Sequence, residues 1–426
     1  MTLLTLVLTG IILNLLFANS LVYPSPVEQC SIKCLEPTVI DPNLRIDVVA
    51  SNLNAPSNMV FVNDNEILVM ERYSGIIKRI INDTLEQEPL LDLNIASGAG
   101  ERGLLGIALS KATEHSYIFI YFTESKFDGG TPIGNRLYRY ELLNGNLSNR
   151  TLLLDLPYYP GPYHNGGGLT IGPDNNIYLT VGDLDNVDDK ARPNTTTQNV
   201  EGGLEPNGSG GILRITQNGD EVGRGILGNT YPLSLYYAYG IRNSFGIDFD
   251  PVTQKLWDTE NGPNYGDEIN LVEPGFNSGW KEVQGVWKLK GSNMGKELDN
   301  KPEGLVDFNG KGKYSTPEFT WKERYGPTAI KFLVSDKLGR QYENDAFVGD
   351  IHSGTLYHFD MNKTRTGFSL EGPLSDRIAN STSELRQVIF GTGFGGITDL
   401  EVGNDGYLYV LSYVNESVYR IHPVKQ

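Results

Sequence analysis

The chain has 426 residues, 49 of them glycine and 23 tyrosine, with 20% charged residues and a formal net charge of −17. Helix-favouring runs of Ala, Leu, Glu and Lys are absent, which argues against a helical bundle and for an all-β protein rich in turns. The acidic balance argues against a nucleic-acid partner; solubility, cation binding and self-repulsion all fit it equally.

Residues 3–17 are apolar and lead into Ala18, Asn19 and Ser20, small residues of the kind a signal peptidase needs. Residues 1–20 are therefore read as a signal peptide, with an uncleaved N-terminal anchor as the alternative, although no Lys or Arg precedes Lys33. The apolar run is short for a full span. The expectation is a secreted protein, extracellular or at the cell surface, touching a membrane only through such an anchor. Residues 21–43 form an N-terminal extension with the only cysteines, Cys30 and Cys34, which are close enough for a small local disulfide. Asn-x-Ser/Thr sequons at Asn82, Asn146, Asn149, Asn194, Asn207, Asn362, Asn380 and Asn415 support export and a glycoprotein.

From residue 44 onward one pattern recurs: an apolar strand, a polar turn with Asp or Asn, and a second β-rich strand. Copies span Met59–Met70, Gly106–Phe122, Leu169–Thr180, Gly246–Trp257, Ala329–Gly349 (with an insertion) and Leu400–Leu411. A third strand follows each pair, at Ile76–Ile80, Arg136–Tyr140, Gly211–Ile215, Glu268–Val272, Thr355–Phe359 and Ser417–Ile421. Six copies of one antiparallel unit predict a six-bladed β-propeller of four-stranded antiparallel blades over 44–426. Propeller ligands sit on the axis at the loops of one face, so the long segments 183–210, 281–328 and 360–395 are expected to mark that face. The segment 281–328, rich in Gly, Lys and Asn, reads as a long loop or lid.

Three segments carry chemistry. His164 opens a hairpin whose second strand ends on Asp183, and a hairpin returns its far end to its near end. A histidine beside a carboxylate is a general base with its orienter. Arg242 and Asn243 lie in a turn and supply a rigid fork plus an amide donor and acceptor. Thr259–Leu271 gathers Glu260, Asn261, Asn264, Asp267 and Glu268 with Gly262 and Pro263, the mixture of carboxylate and carbonyl oxygen that calcium takes, though not at EF-hand spacing.

These segments, with Gly100–Ala108 before them and Pro274–Trp280 after, resemble in order the soluble pyrroloquinoline quinone (PQQ)-dependent glucose/sorbosone dehydrogenase family, the aldose sugar dehydrogenases, over roughly residues 44–422. The resemblance implies a six-bladed propeller that oxidises the C1 hydroxyl of an aldose sugar by hydride transfer to PQQ, with an electron acceptor the sequence does not name. It makes His164 the base and Asp183 its orienter. It places Glu101, Arg242, Asn243 and His352 around the cofactor. It gives the carbonyls of Gly262 and Pro263 to the Ca2+ that polarises the quinone, and Glu268 with the Ser278 carbonyl to a further Ca2+. The chain departs from the family at Glu101, where glutamine is usual, at His352, where lysine is usual, and in Gly391–Asp399, where glycine and threonine replace arginines. Lys288, Lys290, Lys296, Lys322 and Arg324 are the candidate replacement cations. The alternatives are a non-enzymatic, calcium-stabilised binding propeller, as in the hedgehog-interacting-protein-like branch, and a calcium-dependent lactonase.

Overall fold

The computed structural model describes residues 36–98, 100–111, 116–159, 161–185, 194–290, 293–300 and 302–424. The segment 1–20 and the two cysteines lie outside the described residues. No α-helix occurs among the described residues, and none of their helices is long and apolar enough to cross a membrane.

Each expected strand pair is present, with its third strand beside it in antiparallel register. In the first sheet Pro56–Asn63 pairs with Glu66–Glu71, which pairs with Ile76–Ile81. The other sheets begin at Leu104–Lys111, Leu169–Ile171, Ser244–Phe249, Pro327–Phe332 and Ile397–Val402. Leu44–Ala50 completes the sixth of these sheets by pairing with Ser417–Pro423, so the two ends of the described chain are hydrogen-bonded together. Thr38–Val39, from the segment expected to be an extension, pairs with Gly391 and Thr392 at the edge of the fifth sheet.

The first strands touch in succession around a closed circuit: Pro56–Asn63 meets Leu104–Lys111, and Ile397–Val402 returns to Pro56–Asn63. The core follows from this arrangement. Apolar side chains alternate along the strands and fill the space between successive sheets. Leu68 and Ile77 of the first sheet pack on Leu104 and Ile118 of the second; Trp257 of the fourth packs on Phe332 of the fifth. Charge crosses the same seams. Lys331 lies 2.8 Å from Glu401 and 3.8 Å from Asp248, linking the first strands of three sheets.

Two of the long segments differ from expectation. The stretch 281–328 is not a loop. It carries a small sheet of Val283–Gln284, Trp287–Lys290 and Asn293–Glu297, and it also contributes Lys313–Tyr314 and Phe319–Trp321 to the third and fourth sheets. Trp287 anchors it, buried against Tyr265. The stretch 360–395 joins the third and fourth strands of the fifth sheet, and its Ile378–Ala379 edges the fourth sheet beside Phe319–Trp321. It therefore builds an outer edge, whereas 183–210 connects strands at the end of the sheets that carries His164, and 281–328 reaches that same end at Gln284 and at the Tyr325–Gly326 turn.

Candidate active site

His164 and Asp183 lie at the same end of the third sheet, one before its first strand and the other after its second. His164 Nδ1 is 2.6 Å from Asp183 Oδ1, and both side chains are buried. A carboxylate accepts only, so Nδ1 carries a proton, and in the neutral ring the lone pair is on Nε2. Burial would push the Asp183 carboxyl up, but the charges of His164, Arg242 and Lys281 outweigh it and hold the group at about 2. It is ionised at any working pH.

His164 sits at φ +57°, in the left-handed region. That region is sparsely used by residues with a side chain, and such outliers gather at functional sites. Its backbone N–H donates to Glu101 Oε2 at 2.7 Å, and Asn243 Nδ2 donates to the same oxygen at 3.0 Å. Glu101 thus ties the turn before the second sheet to the turns before the third and fourth. Asp183 N–H donates to the Arg242 carbonyl at 2.9 Å. Gly182 makes this convergence possible: a Cβ there would stand 2.4 Å from the His164 carbonyl oxygen and 2.8 Å from that of Arg242.

Arg242 extends the site toward Gly262. Its Nη1 donates to the carbonyls of Asn261 at 2.8 Å and Gly262 at 3.0 Å, and its N–H donates to Glu260. Burial draws the guanidinium pKa down, while Asp183, Asp185, Glu101 and Asp267 oppose this. Arg242 Nε and Asn243 Oδ1 are buried with no hydrogen-bond partner among the described residues. A buried donor and a buried acceptor left open on adjacent residues each cost a hydrogen bond unless a ligand completes them. Asp267 fixes the Gly262 turn, accepting from Gly262 N–H at 2.8 Å and from Tyr325 and Gly326 N–H at 2.7 and 2.8 Å. Pro263 follows in that turn, half-buried.

Glu268 and Ser278 meet in a second, fully buried cluster. Ser278 Oγ is 2.6 Å from Glu260 Oε2 and 3.1 Å from Glu268 Oε2. Gln284 Nε2 donates to Glu268 Oε1 at 2.9 Å, while its own Oε1 has no partner. Burial pushes Asp258 up to about 7 and raises Glu260 and Glu268, with mutual repulsion adding to it. Carboxylates crowded in this way, with an open amide oxygen beside them, match the donor set of a hard divalent cation.

His352 stands apart. It is exposed and makes no hydrogen bond among the described residues. Its ring abuts Gly326, where a Cβ would approach Nε2 to 3.0 Å. Partial burial and the positive charge of Arg324 push its pKa down. Of the candidate replacement cations, Arg324 is the one whose charge reaches His352; Lys288, Lys290 and Lys322 are exposed, and Lys296 pairs with Asp299. In Gly391–Asp399 the reason for glycine is close packing at positive φ: a Cβ on Gly395 (φ +71°) would lie 2.4 Å from Asn415 Oδ1, and one on Gly396 (φ +83°) 2.8 Å from the Ile351 carbonyl oxygen.

Trp280 is the site residue that sequence reasoning missed. Its Nε1 donates to Asp183 Oδ2 at 2.7 Å across 97 positions. It belongs to the connection between the third and fourth strands of the fourth sheet, which starts at the opposite end. Phe276–Asn277 carries that connection back along Tyr236–Tyr239 in parallel register. No local pattern in the sequence announces such a return.

The family model for Glucose / Sorbosone dehydrogenase matches residues 53–420. The aldose sugar dehydrogenase YliI of Escherichia coli (strain K12) is 24% identical over 377 residues, covering 87% of this chain and 90% of the relative. Quinoprotein glucose dehydrogenase B of Acinetobacter calcoaceticus is 32% identical over 256 residues, covering 56% of this chain and 52% of the relative. The PQQ-bound form of aldose sugar dehydrogenase from Streptomyces coelicolor has the same fold, with a TM-score of 0.64 at 21% identity over 91% of this chain and 98% of that one.

Proposed function

The chain belongs to the glucose/sorbosone dehydrogenase family, and from that premise we propose that it is a PQQ-dependent dehydrogenase of aldose sugars built on a six-bladed β-propeller. The observation that carries the reading is the buried His164–Asp183 pair beside the open Arg242 Nε and Asn243 Oδ1. A base with a fixed tautomer, next to buried polar atoms that await a ligand, is what oxidation of a hydroxyl beside a polar cofactor requires.

In this reading the sugar's C1 hydroxyl lies against His164 Nε2, which takes its proton as the C1–H bond breaks and the carbonyl of a lactone forms. Bound PQQ supplies the two-electron acceptor for the C1 hydride. Asp183 stabilises the imidazolium that results and keeps Nε2 aimed at the substrate. Arg242 and Asn243 hold the cofactor through their open atoms. Glu101 acts within the pocket by fixing His164 and Asn243, and on the fifth-sheet side Arg324 supplies positive charge beside the uncharged ring of His352. The carbonyls of Gly262 and Pro263 would hold the Ca2+ that polarises the quinone. Glu268, with Ser278, holds a further, structural Ca2+. The same reading makes the protein exported, with residues 1–20 removed and glycans on exposed sequons such as Asn82, Asn194 and Asn380.

The test is direct. PQQ and Ca2+ added to the purified protein should give a bound-quinone spectrum and aldose-dependent dye reduction. No binding at micromolar PQQ sinks the dehydrogenase reading and leaves the binding propeller in its place. His164→Ala should abolish turnover while the quinone spectrum persists; loss of both together removes His164 from the role of base. For the structural ion, Glu268→Gln should erase the thermal stabilisation that Ca2+ gives the wild type. Intact-mass measurement of the protein from culture medium, before and after glycosidase, tests cleavage and glycosylation.

A further inference from the structure

We propose that Trp280 is a positioning residue for the base, acting on His164 through Asp183; this rests on the reading of His164 as the proton acceptor. Asp183 has two oxygens, and each has one directional partner: Oδ1 faces His164 Nδ1 at 2.6 Å, and Oδ2 accepts from the Trp280 indole at 2.7 Å. Two partners on opposite oxygens fix the plane of a carboxylate, which one alone does not. The plane of Asp183 in turn sets the plane of the imidazole, and so the direction of Nε2. An indole N–H donates and never accepts or titrates in the working range. It therefore holds Oδ2 without competing for the proton that His164 gains and releases.

Trp280 is itself rigidly held. It is 4% exposed. Its N–H donates to the Gly240 carbonyl at 2.9 Å, and its carbonyl accepts from Asn199 Nδ2 at 2.8 Å. The Arg242 guanidinium lies 5.4 Å from the ring centroid, within cation–π range. The same arginine binds the Asn261 and Gly262 carbonyls. One side chain thus touches both the orienter of the base and the cation that organises the opposite wall.

The charged groups facing Asp183 are His164, Arg242 and Lys281. The indole bond draws negative charge toward Oδ2 and moderates the grip of Asp183 on protonated His164. Removing it makes the carboxylate a stronger partner for the imidazolium, so the base is protonated to a higher pH.

Two measurements test the proposal. Trp280→Phe, which keeps a ring and deletes the N–H, should lower kcat by roughly tenfold or more, the scale of one hydrogen bond to a charged group. KM and PQQ affinity should stay within about twofold, and the acid limb of the kcat/KM profile should move to higher pH. A Trp280 that served packing alone would lower stability and leave the acid limb in place, and that outcome overturns the proposal. The second measurement needs neither turnover nor the substitution at 280 to be well folded. With 15N-tryptophan labelling the four tryptophans should give four indole N–H signals, and Asp183→Asn should move one of them upfield in the cofactor-free protein. Four unmoved signals overturn the proposal. A wild type that fails to oxidise aldoses but shows the shifted indole refutes the dehydrogenase reading and leaves the Trp280–Asp183 coupling standing.

Discussion

His164 and Gly182 share one tight spot, and their backbones explain each other. The left-handed backbone of His164 turns its carbonyl toward Gly182, where a Cβ would come within 2.4 Å. Only glycine lets Asp183 follow at hydrogen-bond distance from both the histidine ring and the Arg242 carbonyl. Gly182→Ala should therefore push these turns apart, lower stability by about 1–3 kcal/mol, and cut the rate of sugar oxidation more than the loss of stability explains; thermal unfolding and steady-state kinetics check the two effects. The His–Asp pair was legible in the sequence because a hairpin brings its ends together whatever surrounds it. The Asp183–Trp280 bond was not, because nothing short in the chain links them.

At the scale of elements, the fourth sheet has to bury carboxylates, and this sets a pH dependence. Glu318, 8% exposed, precedes the strand Phe319–Trp321 and accepts from Leu271 N–H at 2.6 Å. Burial pushes its carboxyl up to about 8, with that hydrogen bond and Arg377 opposing. In the unfolded chain glutamate releases its proton near its usual value, so between the two values the folded state binds more protons. Stability is fully present below the lower value and is lost as pH rises toward the upper one. Glu318→Gln keeps an acceptor for Leu271 and removes the charge. Its unfolding free energy, from denaturant titration, should fall by on the order of 2 kcal/mol less than that of the wild type between about pH 5 and pH 8, the remaining slope belonging to Asp258, Glu260 and Glu268. The strand pairs themselves were readable from apolar alternation and Asp/Asn turns. The strands inside 281–328 were not, since they are two to five residues long and lysine-rich, and Val286, Trp287 and Met294 find their apolar partners, Tyr265 and Ile378, only in the folded chain.

Across the whole molecule, each sheet is stabilised by its two neighbours, so contacts across the seams matter more than those within one hairpin. Lys331 reaches Glu401 on one side and Asp248 on the other, and no other described lysine links three first strands in this way. Lys331→Met leaves two half-buried carboxylates without their cation and should cost roughly 1–3 kcal/mol. Because the seams form a closed circuit, the loss should appear as a lower Tm for the whole unit in calorimetry, with one cooperative transition retained. The pairing of Leu44–Ala50 with Ser417–Pro423 belongs to this scale too. It fastens the start of the described chain to its end, and the repeat count alone did not say which strand would complete the last sheet.

The sequence by itself determined the repeating sheets, the family, and the meeting of His164 with Asp183 and of Arg242 with Asn243, because each depends on residues within one hairpin or one turn. Only the tertiary structure decided what completes the site. Glu101 bridges two turns, Asp267 pins Gly262 to Tyr325 and Gly326, and Trp280 closes on Asp183 from another sheet's connection. Those contacts exist because the sheets close a circuit and bring loops of the second to the fifth sheet together at one end, and a linear pattern holds no record of which side chains will face one another there.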